Sequence, residues 1–431
     1  MLERTRVAMR RLLTMANLFE NLSAAYGGRE AFTLARPPGY RSLPSRSLSF
    51  IACLRFTNLA AEAFIRDLDL KKGDRVVLCL DDPAHAFLVS AALIKAGGIA
   101  VPLDYRLPAA EMARRVSGCG ATLAVVDGKT LAERPELTGS LSGVERVMAC
   151  GPRSRAPHGI PCLDEAMDSS SGFFLPYTLK PGNVVGLFHT VMGDGPTKAV
   201  MVTNEGLLGP HIRAAAFFPT RPGDTCVHAL PLRSTEGFTA AVLGLCMGLS
   251  LLFVPDASPH PVLDAVETGR PAAIMATPGL FAAMLRAGAP GHGLSAVRFR
   301  LSAGSSPPPA VEERHRGFPS PLRGNLRRPA CYLEAYSAGG NATMLALRPA
   351  GPTFAWPQGC PGFIIPPNRA RVVDEEGRRV KRGEEGELVI RGPAVTPGYW
   401  NDIEGTLAAK RDGWLHTGIR ANKTGLLITL R

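Results

Sequence analysis

Between residues 75 and 127 the chain alternates short apolar runs with helix-length stretches, and that order limits the folds open to it. Residues 75–80 (Arg-Val-Val-Leu-Cys-Leu) read as a buried strand, and 83–96 as a helix with apolar residues at helical spacing. Residues 99–103 read as a second strand, 109–119 as a second helix and 122–127 as a third strand. Strands that alternate with helices lie parallel, because each crossover returns the chain to the same end of the sheet. The expected class is therefore α/β with mainly parallel sheets. The same grammar returns in strands expected at 184–188, 199–202, 225–229, 251–254, 273–276 and 298–302, with a helix from Glu205. Ahead of this lie a lead-in segment (17–50) and a helix at 60–68. After Ala355 the segments 362–373, 386–391 and 425–430 are β-rich and separated by turns such as Asp374-Glu375-Glu376-Gly377, which predicts a small antiparallel sheet or barrel. The expected division is a basic extension over 1–14 with Met15 as an alternative start, α/β subdomains over 15–180 and 181–355, and a β-rich subdomain over 356–431.

Apolar residues make up 45% of the chain and charged residues 20%, which is too apolar a mixture for disorder to be the main state. Forty-nine basic against 37 acidic residues give +12, but the excess is dispersed. Its densest run, Arg4 to Arg11, carries no aromatic interleaving and no helix-turn-helix, zinc-finger or RNA-stacking pattern, so no nucleic-acid partner is expected. Nine cysteines stand far apart without a CxxC pair, which indicates neither a zinc site nor a disulfide scaffold and fits a reducing cytoplasm. The uncharged stretch 238–255 is at the lower edge of membrane-spanning length and contains Gly244 and Gly248. It reads as a buried helix followed by a strand, so no transmembrane segment is expected. The histidines lack metal-ligand spacing, and Gly304-Ser305-Ser306 lacks a nucleophile elbow.

Several strings then occur in a telling order. They are Lys72-Gly73-Asp74-Arg75-Val76, the run 93–103, Leu301-Ser302-Ala303-Gly304, Val372-Val373-Asp374-Glu375-Glu376-Gly377, Gly383-Glu384-Glu385-Gly386-Glu387-Leu388, Arg391-Gly392-Pro393, Gly398-Tyr399-Trp400-Asn401 and Asp412-Gly413-Trp414-Leu415-His416-Thr417-Gly418. Together they resemble the adenylate-forming superfamily, which contains acyl-CoA and aryl-CoA synthetases, peptide-synthetase adenylation domains and luciferases. The resemblance implies two α/β subdomains plus a β-barrel-like one, with substrates bound where they meet. It also implies activation of a carboxylic acid by ATP and Mg²⁺ to an acyl-adenylate and transfer of the acyl group to a thiol. Such chemistry is largely positioning and charge neutralisation, so it can be checked residue by residue.

The family's phosphate loop, a Ser/Thr/Gly run ending in Pro-Lys-Gly, corresponds here to residues 190–199. Thr190, Gly193, Gly195 and Lys198 remain as nucleotide-binding candidates, Val191 and Met192 replace small or polar residues, and Asp194 places a carboxylate where polyphosphate would sit. The Tyr-Gly-x-Thr-Glu motif falls at Tyr336-Ser337-Ala338-Gly339-Gly340. The adenine-pocket Tyr336 is kept, but the phosphate-contacting Thr and the Mg²⁺-holding Glu are both glycine, and Asp194 is the one candidate for a relocated Mg²⁺ ligand. In the Thr-Gly-Asp motif Thr417 and Gly418 are kept, while Ile419 replaces the Asp that accepts the ribose hydroxyls. The motif bordering the acyl pocket is Leu230-Pro231-Leu232-Arg233-Ser234-Thr235-Glu236-Gly237. It makes Arg233, Ser234 and, from the later string, Gly304 acyl-pocket candidates, with Arg233 facing either Glu236 or a carboxylate ligand. Arg431 falls at the family's hinge-proximal, ribose-contacting Arg. The catalytic lysine belongs to a C-terminal domain beyond that point, so no catalytic residue is assigned. His189 and His416 are expected to be scaffold residues rather than bases.

The expectation is thus a catalytically degenerate acyl-CoA-synthetase-like protein that takes a carboxylic acid or acyl thioester and partners an acyl carrier protein or an intact synthetase subunit. The alternative is an ATP- and Mg²⁺-dependent acid–CoA or acid–carrier-protein ligase, completed by a C-terminal domain on another chain.

Overall fold

A computed structural model describes residues 13–34, 40–41, 45–141, 143–190, 197–209, 212, 218–254, 257–288, 294–304, 319–320, 328–329, 331–338, 341–350, 359–424 and 427–430. Three main sheets organise them. The first runs, edge to edge, through the strands Arg146–Cys150, Leu123–Asp127, Arg75–Cys79, Ile99–Pro102, Val184–Thr190 and Lys198–Thr203. All its pairings are parallel except the last, an antiparallel hairpin. The second is nine-stranded, parallel from Cys331–Tyr336 through Phe299–Ala303, Ala273–Ala276, Thr225–Ala229 and Ser250–Phe253 to Glu30–Thr33, and antiparallel at both edges. The third is antiparallel: Arg369–Val373, Glu385–Arg391, Trp414–Thr424 and Lys410–Arg411, with Leu427–Leu430 on Trp414–Thr424. This is the α/β class with a β-rich addition that the alternation predicts.

Two helices that are apolar all round sit where the parallel sheets face each other. Pro83–Lys95 starts with Asp82 accepting the His85 amide at 3.0 Å and with proline in its first turn, where a missing amide costs nothing. Thr235–Cys246 starts with Ser234 accepting the Gly237 amide at 3.1 Å. A helix without a polar face cannot lie at a surface. These two join the inward faces of both sheets in one apolar cluster that includes Leu78, Phe87, Phe238, Leu251 and Leu301. The outward face of the first sheet is covered by Ala109–Cys119, which buries Met112, Val116 and Cys119 at helical spacing and ends at Gly120 in the left-handed region. Pro259–Gly269 and Pro278–Arg286 cover the outward face of the second.

Most expected elements coincide with observed ones, and the stretch 238–255 is indeed a buried helix followed by the strand Ser250–Phe253. Among the described residues no helix is long and apolar enough to cross a membrane. The expected helix at 60–68 is the end of a longer one, Phe50–Asp67, capped by the Ser49 side chain. The helix expected from Glu205 is a single turn, Asn204–Leu207, followed within two residues by Gly209. Sheet membership also crosses the expected division at residue 180. The hairpin 184–203 completes the first sheet, whereas Glu30–Thr33 and Ser47–Ser49 edge the second.

Candidate functional site

The carboxyl ends of Arg75–Cys79 and Ile99–Pro102 in one sheet, and of Thr225–Ala229 and Ser250–Phe253 in the other, open into a common cleft of about 570 Å³. Ligand sites of open α/β sheets lie at this end, because loops leaving the strands there are free to vary. The floor is apolar: Leu78, Leu80, Leu230, Leu232 and Phe238. The rim is charged and spans both sheets. Arg233 Nη2 stands 3.3 Å from Asp104 Oδ2, and Arg106 Nη2 stands 3.1 Å from Asp81 Oδ1, which also accepts the Tyr105 hydroxyl at 3.1 Å. An apolar floor below a charged rim suits a molecule with a hydrocarbon or aromatic body and a polar end.

Arg233 lines the cleft and pairs with Asp104 rather than with Glu236, one of the two partners open to it from the sequence. Glu236 instead accepts from the Ser337 hydroxyl, which ties the start of Thr235–Cys246 to the end of Cys331–Tyr336 and leaves Arg233 to reach across to Asp104. Ser234 is a helix cap, and its hydroxyl also donates to Pro231 O at 2.9 Å. Neither Ser234 nor Gly304, which ends the strand Phe299–Ala303, is among the residues lining the cleft.

The hairpin Val184–Thr190/Lys198–Thr203 holds the stem of the expected phosphate loop, with Thr190 opposite Lys198 and His189 opposite Ala199. Gly193, Asp194 and Gly195 lie outside the described residues, as do Gly339, Gly340 and Arg431. Lys198 Nζ sits 2.9 Å from Asp402 Oδ2 and 4.6 Å from the centre of the Tyr399 ring. On the other flank Glu111 Oε1 accepts from Arg115 at 2.5 Å and from the Thr197 hydroxyl at 3.4 Å. Burial of the His189 ring, reinforced by the Arg115 guanidinium, pulls its pKa down to about 4, so it is neutral near pH 7.

Thr417, Gly418 and Ile419 occupy a bulge of the third sheet, between the pairs Val389↔His416 and Glu387↔Arg420. The turn satisfies its own polar groups. The Thr417 hydroxyl donates to Leu388 O at 2.7 Å and accepts from Ile419 N at 3.2 Å, while Glu387 accepts the Gly418 amide at 2.8 Å and meets His416 Nδ1 at 2.7 Å. Ile419 packs against the apolar cluster that contains Val372, Leu388, Ile390 and Leu415. The Ile419 side chain, which carries no acceptor atom, thus packs into the apolar cluster of the third sheet. Tyr336 belongs to the same cluster and is 8% exposed, and its hydroxyl has no hydrogen-bond partner among the described residues. No group of three His, Cys, Asp or Glu that could hold a metal ion comes together among the described residues. At the bulge the acceptor oxygens of a carboxylate come from Glu387, not from residue 419, and both are already engaged by Gly418 and His416.

Sequence reasoning missed Asp104, Asp402 and the Glu111–Arg115 pair. Asp402 directly follows the quoted string Gly398-Tyr399-Trp400-Asn401, but its meeting with Lys198, 204 positions earlier, has no local signal. Trp400 and Asn401 fix that segment by donating to Cys119 O at 3.0 Å and Gly118 O at 3.1 Å.

Two facing α/β sheets with a cleft at their carboxyl ends, and a curled antiparallel sheet beside the hairpin, make up the N-terminal fold of adenylate-forming enzymes. The AMP-binding enzyme family matches residues 23–400, and the chain belongs to that family. It is 25% identical over 353 residues to a 3-hydroxybenzoate–CoA ligase of Aromatoleum sp., an alignment covering 80% of this chain and 64% of that protein. It is 29% identical over 398 residues to an anthranilate–CoA ligase of Pseudomonas aeruginosa, covering 86% of this chain and 68% of the relative. In structure it is similar to an anthranilate–CoA ligase solved in complex with anthranoyl-AMP, with a TM-score of 0.82, 19% identity, 97% of this chain covered and 77% of the other.

Proposed function

We propose that this chain is an acyl-CoA-synthetase-like protein that holds a carboxylic acid or its acyl thioester in the cleft but does not complete acyl adenylation by itself. The observation that carries this reading is Ile419, packed into the barrel cluster where the family places the ribose-binding Asp. Two ribose hydroxyls left unpaired there would each cost about 1–3 kcal/mol. The aryl acids named for the relatives make an aryl acid the first substrate class to try. A net charge of +12 suits an acidic partner such as an acyl carrier protein, with an intact synthetase subunit as the other partner class.

One observation favours a second reading, an ATP- and Mg²⁺-dependent acid–CoA or acid–carrier-protein ligase. Lys198 is still placed at the stem of the hairpin. Calorimetric titration with ATP–Mg²⁺, with AMP and with a panel of aryl and fatty acids and their CoA thioesters separates the two. Acid or thioester binding without nucleotide binding supports the degenerate reading. Micromolar ATP–Mg²⁺ binding that Lys198→Ala abolishes supports the ligase.

A further inference from the structure

Lys198 and Asp402 meet between two fixed pieces of backbone. Lys198 is held by its register with Thr190 in the hairpin. Asp402 is held through its other oxygen, Oδ1, which accepts the Gly405 amide at 2.7 Å. The segment carrying Asp402 is in turn fastened to the strand after the loop, since Trp400 N donates to Ala199 O at 2.8 Å and Met201 N to Gly398 O at 3.1 Å. The Tyr399 ring closes a second side of the ammonium at 4.6 Å. The side chains are 27% and 35% exposed, so the pair contributes little to stability, and its electrostatic effect is separable from folding.

We propose that Asp402 sets the charge of the hairpin stem: it positions the Lys198 ammonium and neutralises it, so that an incoming polyphosphate competes with Asp402 for that ammonium and meets a like charge beside it. The proposal rests on the reading of this hairpin as the place where nucleotide phosphates arrive, and it adds a reason for weak nucleotide binding that is independent of Ile419. The ligand class is a polyphosphate, either pyrophosphate or the phosphate chain of a nucleoside triphosphate. Arg115, the cation on the opposite flank, is likewise held by a carboxylate of its own chain, Glu111. Glu111 is shared with Arg114, so of Lys198 and Arg115 it is Lys198 that has a carboxylate matched to it one to one.

The test is Asp402→Asn. Asparagine caps a helix as well as aspartate does, so the bond to Gly405 is kept and only the charge is removed. The probes are inorganic pyrophosphate and ATP–Mg²⁺, titrated calorimetrically into the full chain at fixed ionic strength. The expected result is that Asp402→Asn binds pyrophosphate about tenfold more tightly than the parent chain. The gain should disappear in Asp402→Asn/Lys198→Met, with the melting temperature of the single variant unchanged. Equal affinity of variant and parent overturns the proposal, and so does no measurable binding by either, because the unmasked lysine would then recruit no phosphate. Micromolar ATP–Mg²⁺ binding by the parent would instead overturn the degenerate reading, while this proposal would still stand or fall on the ratio between the two proteins.

Discussion

The rings of Phe87 and Phe238 stack with their centroids 5.0 Å apart and their planes 27° from parallel. Each comes from the central helix of a different sheet, so this contact joins the two halves directly behind the cleft floor. Phe238→Ala should cost about 3–5 kcal/mol, because it removes a fully buried aromatic side chain and leaves a cavity against Phe87. Urea unfolding measures this, and a loss under 1 kcal/mol would mean that the two halves do not depend on the contact.

Gly237 allows the helix start to press on the Leu230–Arg233 turn, since a Cβ there would overlap the Pro231 carbonyl. Gly237→Ala should destabilise by about 1–3 kcal/mol and weaken acid binding in the cleft, because the turn it displaces carries Arg233. Retained stability with unchanged acid binding would contradict this placement.

Arg233 is exposed and its partner Asp104 half-buried, and removal of the pair should change stability by no more than about 1 kcal/mol. Their effects on ligand should be opposite in sign. Arg233→Ala should weaken the binding of a carboxylic acid about tenfold, while Asp104→Asn should strengthen it by releasing the guanidinium. Titration with benzoate-type acids reads both, and effects of the same sign would remove Arg233 from recognition.

Asp127, at the carboxyl end of its strand, accepts from the Asp81 amide. Burial, with the Asp81 and Asp82 carboxylates adding to it, pushes its pKa up to about 7. An unfolded Asp ionises near 4. Between about pH 4 and 7 the folded chain therefore keeps a proton that the unfolded chain releases, and stability falls as pH rises through that window. Asp127→Asn should remove that fall, so it should match the parent at pH 4 and melt higher than the parent at pH 8. A constant difference across pH would show that the carboxyl does not titrate in this range.

The alternation of strands and helices between residues 75 and 127 was legible because each element is short, apolar and bounded by turn residues. The buried helix of 238–255 was legible because it carries no charge. The Phe50–Asp67 helix was read only over its second half, since its start depends on the Ser49 cap within a Ser-rich stretch that looks like loop. The motif strings singled out Lys198, Arg233 and Thr417, because those residues lie inside contiguous patterns. Their partners were not legible. Asp104 and Asp402 meet Arg233 and Lys198 only through tertiary folding, and Glu236, three positions from Arg233 in sequence, is drawn away by Ser337. Sequence spacing alone would have paired Arg233 with the wrong carboxylate.

The most direct test of the central claim is calorimetric titration of the folded chain with ATP–Mg²⁺ beside titration with aryl acids and their CoA thioesters. The expected result is saturable binding of an acid or thioester, weakened by Arg233→Ala, and no ATP–Mg²⁺ binding in the micromolar range. Micromolar ATP–Mg²⁺ binding that is lost in Lys198→Ala would contradict it and make the chain a working nucleotide site despite Ile419.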